Sequence, residues 1–107
     1  MDAVVAEGLA TAFARDEAGH QAPWGKYPDN VDDWVTELSC MSWPYDYRHW
    51  MYRHPDGRRW IGYRAGTYIC DRAIARSGMS AAVMVSESSQ RIMDLAGLNP
   101  GRPCDDQ

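Results

Sequence analysis

The 107 residues predict an all-α domain, and three observations carry that prediction. Apolar residues recur at helical spacing in several separate segments. Those segments are bounded by residues that start and stop helices, with Asp, Asn or Ser before and Gly after. No convincing alternation of apolar and polar residues occurs, save a short extended piece around 58–61. The expected architecture is four to five helices in a small irregular bundle with a Trp-rich loop region. One domain would span 1–98. Residues 99–107, with two Pro and two Asp, would form a tail.

The first helix is expected over 2–17, with Asp2 as N-cap. Val5, Leu9 and Phe13 recur every four residues as one apolar stripe. Ala3, Ala10 and Ala14 lie on nearly the opposite side, with Glu7 among them. Gly19 is the stop signal. Residues 18–29 carry Gly19, Pro23, Gly25 and Pro28 and read as loop. Asn30 then caps a helix over about 31–41, whose apolar side is Val31, Trp34, Val35 and Leu38. Asp32 and Asp33 suit its first turn, because the helix dipole is positive there. Trp43-Pro44 breaks the pattern, and a weak short helix follows near 45–53.

His54-Pro55-Asp56-Gly57 is a turn signal. A long helix over 60–77 follows, with Gly62, Gly66, Ile69, Cys70 and Ala73 on one small apolar face. Small residues four apart let a second helix approach closely, although the glycines weaken the helix itself. Arg64, Arg72 and Arg76 largely share another side. Gly78 caps the end, Ser80 opens a short helical turn, and Ser86 or Ser88 caps a last helix closed by Gly97.

Composition narrows the function classes. The net charge of −4 argues against general nucleic-acid or membrane-surface binding. The charge is uneven: residues 1–47 hold nine acids and two bases, whereas 48–76 hold seven Arg against Asp56 and Asp71. Mutual attraction of the two regions is one reading, and an anionic ligand or peptide carboxylate is another. One Phe stands beside five Trp and six Tyr, a bias toward half-buried rings with a polar tip, as at cleft walls. Cys40, Cys70 and Cys104 form no metal-ligand spacing, and a disulfide framework is not expected. With no basic leader and no long apolar run, the expected setting is reducing and cytoplasmic.

Two segments are informative together. Asp2-Ala3-Val4-Val5-Ala6-Glu7-Gly8-Leu9-Ala10-Thr11-Ala12-Phe13 contains an EGLA motif. Trp60-Ile61-Gly62-Tyr63-Arg64-Ala65-Gly66-Thr67-Tyr68-Ile69 is followed by Ser77-Gly78-Met79-Ser80-Ala81-Ala82. In this order, over about residues 2–97, they resemble the C-terminal part of a bacterial family of predicted zinc-dependent proteases with gluzincin-like members. In that family an HExxH helix comes first, then an EGLA helix, a Trp-rich stretch and a GYxxGY-type helix. The resemblance implies a zinc held by the two His of HExxH and by a Glu from a downstream helix. It implies a catalytic base in the HExxH Glu.

By that resemblance Glu7 takes the position of the third zinc ligand. Its plainer reading is a helix-surface carboxylate. Tyr63 is a candidate donor to a developing oxyanion, or else an aromatic packing residue. Arg64 is a candidate anchor for a substrate carboxylate, or else a surface partner of the acidic half. His20, His49 and His54 are not spaced i, i+4, and a loop metal site built from them is the weaker alternative. The five Trp line a groove or pack the core. Cys70 reads as a buried small apolar residue.

The 107 residues contain no HExxH. The expected function is therefore the C-terminal scaffold and cleft half of a zinc metallopeptidase, inactive as an isolated chain. The alternative is a non-catalytic protein-binding or self-association module derived from that fold. Zinc would belong to the complete enzyme, and this chain alone is expected to bind none. The expected partners are the HExxH segment or a second copy of the chain. A peptide substrate enters only in the complete enzyme, and neither nucleic acid nor membrane is expected.

Overall fold

The computed structural model describes residues 1–41 and 46–98. Six α-helices form among the described residues: α1 (Asp2–Ala18), α2 (Val31–Ser39), α3 (Tyr47–Met51), α4 (Ile61–Ser77), α5 (Ala81–Met84) and α6 (Ser89–Ala96). A 3-10 turn at Pro23–Gly25 interrupts the first loop. The all-α expectation therefore holds. The Trp43-Pro44 break and the 99–107 tail lie outside the described residues.

The stop and start signals act as their chemistry requires. Gly19, Gly78 and Gly97 end α1, α4 and α6 with left-handed backbone, which costs a residue without Cβ nothing. Ser80 and Ser88 accept hydrogen bonds from Val83 N–H and Arg91 N–H, satisfying amides that have no partner within the helix. Asp46 does the same for His49 N–H at the head of α3. Two expected caps act differently. Asp2 lies inside α1, where its charge faces the dipole, and Asn30 flanks α2 without a side-chain cap bond. The His54–Gly57 signal makes a tight turn, with Gly57 N–H donating to His54 C=O, and Arg53 and Arg59 pair across it as one antiparallel bridge.

α4 is the central element, with α1, α6, α2 and α3 packed around it. The closest approach is between α1 and α4. A Cβ built on Gly8 would fall 2.6 Å from Gly66 Cα, so the two helices meet backbone against backbone. This is the use expected for the small face of α4. Cys70, fully buried, points its Sγ at Val5 C=O across the same seam. Gly62 faces the Met51 side chain of α3.

The α1 stripe differs from expectation. Val4, Val5, Gly8, Thr11 and Ala12 are buried, whereas Phe13 is 40% exposed. The tight crossing selects small residues, so the bulky Leu9 and Phe13 sit to one side of it. Thr11 and Thr67 tolerate burial because each hydroxyl donates to a carbonyl one turn back, at Glu7 and Tyr63 respectively. The predicted apolar side of α2 is buried in full.

Attraction between the acidic and basic regions is realised at one main point. Arg58 makes two parallel bonds to Glu37, at 2.8 and 3.0 Å, and lies over the rings of Trp34 and Trp50. Elsewhere the arginines do other work. Arg72 and Arg76 donate to Ala96 and Leu95 carbonyls, where the C-terminal end of α6 favours a cation. Asp71 accepts from Arg15 and Tyr27, both in the acidic region, so this contact runs opposite to the expected polarity.

Cys40, at the C-terminal end of α2, is disulfide-bonded, which corrects the expectation drawn from cysteine spacing. The inference to a reducing compartment loses that premise. Among the described residues no helix is long and apolar enough to cross a membrane.

Candidate functional site

The α1–α4 crossing decides which polar groups meet. Glu7 directly precedes Gly8, and Tyr63 lies one turn before Gly66. With those glycines in contact, Glu7 and Tyr63 come to the same edge of the seam. Hydrogen bonding to Tyr52 raises the Tyr63 phenol above its ordinary range, burial adds to this, and the nearby Glu7 charge adds further. Tyr63 therefore stays protonated and able to donate across the neutral range. Glu7 is half-buried, beside an Ala10 and Ala14 flank that is exposed.

Tyr63 also lines a cleft of about 240 Å³ whose other walls are Trp24, Tyr52 and Trp60. Trp24 and Trp60 meet edge to face at 6.4 Å, and Tyr52 tilts against Tyr63 at 5.9 Å. Each wall is positioned by a different device. The 3-10 turn holds Trp24, the Arg53–Arg59 bridge holds the chain after Tyr52, and Trp60 N–H donates to Tyr52 C=O at 2.8 Å. Trp60 takes a left-handed backbone, with φ of 57°. That conformation costs a bulky residue about 1–3 kcal/mol and is typically held in place by its surroundings.

Arg64 lies against Trp60, one of the residues that line this cleft. Its guanidinium stands 5.4 Å from the centre of the Trp60 ring, and Arg59 stands at the same distance. Neither makes an ion pair with a carboxylate among the described residues, so Arg64 is not the partner of the acidic half. The Nε of Arg64 is buried without a hydrogen-bond acceptor among the described residues.

The structure thus gathers Glu7, Tyr63 and Arg64 around one region, together with Trp24 and Trp60. It places Trp34 and Trp50 elsewhere. Trp34 belongs to the core, Trp50 packs against His54 at 4.7 Å, and Trp43 lies outside the described residues. Tyr52 was not singled out by spacing, because its place depends on the turn at 54–57. His49 and His54 approach edge to face at 6.2 Å, each beside an Asp of its own segment. Among the described residues no three His, Cys, Asp or Glu are grouped so as to hold a metal ion.

No curated protein matches the chain, and no solved structure matches it. A family model does, over residues 1–94, a span that holds both the EGLA helix and the GYRAGTY helix. Those are the two segments whose glycines touch. The chain therefore belongs to the family described as predicted Zn-dependent protease (DUF2268).

Proposed function

We propose that this chain is the scaffold and cleft half of a zinc-dependent peptidase and is inactive by itself. The observation that carries the reading is the convergence of Glu7 and Tyr63, produced by the Gly8–Gly66 contact, at the edge of an aromatic cleft. Glu7 would act as the third metal ligand. Its exposed alanine flank leaves room for another helix to pack closely beside it. The His pair and the base of an HExxH helix would have to come from outside these 107 residues. Tyr63, kept protonated, would donate to oxygen charge developing on a substrate carbonyl. Arg64 would contact the substrate.

The test uses Glu7→Ala in a protein carrying both an HExxH segment and this chain. Zinc content measured by atomic absorption should fall from near stoichiometric to near zero. Retained zinc would remove Glu7 from the ligand set. Chelator-sensitive, zinc-dependent peptide hydrolysis by the chain alone would overturn the claim of inactivity.

One observation favours a second reading, a non-catalytic association module. Ala10, Phe13 and Ala14 leave part of α1 uncovered. The small face of α4 offers no such surface, because α1 already covers it. Sedimentation over a wide concentration range tests this reading, and a strictly monomeric chain would sink it.

A further inference from the structure

The aromatic cleft carries a statement about substrate that depends on the peptidase reading for its role but not for its detection. We infer that the cleft takes the aromatic side chain of a peptide's carboxy-terminal residue, with the free carboxylate on Arg64 and Arg59. All four walls are aromatic, and the space of about 240 Å³ is several times the ~30 Å³ share of one water, enough for a ring. Rings pack edge to face against such walls.

Charge selects the rest of the ligand. Four rings would otherwise suit a quaternary ammonium ion. Here two guanidinium groups already lie on Trp60, each 5.4 Å from its centre, and they repel a cation. Both lack a carboxylate partner among the described residues, whereas Arg15 and Arg58 have one. The buried Nε of Arg64 has no acceptor among the described residues, so the protein around it does not neutralise this guanidinium. Strain is stored at the same wall, in the backbone of Trp60. The Glu7 charge is near enough to act on the Tyr63 phenol, whereas Arg59 and Arg64 lie against Trp60, so opposite charges accompany different lining residues. A peptide end, with amide N–H groups behind a terminal carboxylate, matches that polarity.

The test is a titration of the ¹⁵N-labelled chain, read at the Trp indole N–H resonances. N-acetyl-phenylalanine should shift the Trp24 and Trp60 signals saturably. N-acetyl-phenylalaninamide, which lacks the carboxylate, should bind roughly five-fold or more weakly, as expected for losing a charge-assisted hydrogen bond. N-acetyl-alanine should bind weakly for want of a ring. Arg59→Gln, at an exposed position, and Arg64→Gln should each bring acid and amide together, and Trp24→Ala should weaken both. Equal binding of acid and amide, preference for tetramethylammonium, or no saturable shift would each overturn the inference. None of these readouts involves zinc, so failure here leaves the Glu7 experiment intact, and failure there leaves this one readable.

Discussion

Replacing Gly66 by Ala tests the account of the fold most directly, because two principles predict opposite signs. Helix propensity alone favours Ala over Gly in a helix interior by about 1 kcal/mol. Packing opposes it. The new Cβ would fall inside 3.0 Å of the Val4 carbonyl oxygen and 3.1 Å from Gly8 Cα. Both neighbours are backbone, so neither yields by a rotamer change. The helices must separate, and a gap of 0.5–1 Å forfeits about a quarter to a half of each dispersion contact across the seam. Val4, Val5 and Cys70 are buried there at 0–1% exposure. Overpacking of this kind costs about 1–3 kcal/mol or more. Backbone neighbours place Gly66→Ala at the upper end, for a net loss of about 2 kcal/mol after the propensity gain. Thermal melts followed by far-UV circular dichroism should show a drop of roughly 10 °C. Ala14→Gly, on the exposed flank, is the matched control and should lose only about 1 kcal/mol. A neutral or stabilising Gly66→Ala would refute the backbone-to-backbone crossing, and with it the convergence of Glu7 and Tyr63.

Three further outcomes are expected. Hydrogen bonds from the Arg58 side chain, and then from its backbone, hold Asp56 down at about 2, below its ordinary 3.8. A depressed carboxylate stabilises the fold above its unfolded value and loses that contribution as pH falls through the folded one. Urea midpoints should therefore fall more steeply for the parent than for Asp56→Asn between those two values, and parallel curves would remove this ion pair from the account. Burial, and then the Asp71 charge, pushes the Cys70 thiol up to about 12, so a thiol reagent at mildly alkaline pH should leave it unmodified until the chain is unfolded. Mass mapping checks this, and rapid labelling of the native chain at Cys70 would contradict the seam. Ser88→Ala should cost about 1 kcal/mol in urea unfolding through loss of the bond from Arg91 N–H, and no change would mean that water replaces the cap.

The candidate residues were legible to different degrees. Glu7, Tyr63 and Arg64 stand in motifs that the sequence displays. Trp24 and Trp60 were visible as rings suited to a cleft wall, but so were Trp34 and Trp50, which pack elsewhere. Ring chemistry is the same at all four, and only the neighbours differ. The arginine-rich middle was also ambiguous, since one segment supplies the Glu37 partner, caps for α6 and two cations on Trp60.

The sequence by itself determined the all-α class, the small face of α4 and most helix boundaries. Those features depend on local periodicity and on the backbone freedom of single residues. It did not determine which face of α1 is buried. Its bulkier stripe, Val5–Leu9–Phe13, pointed to one side, and the tertiary contact chose the side centred on Gly8, because only there can two backbones touch. That contact also brings Glu7 to Tyr63. Neither motif encodes the meeting separately, since the crossing depends on small residues more than 50 positions apart in the chain.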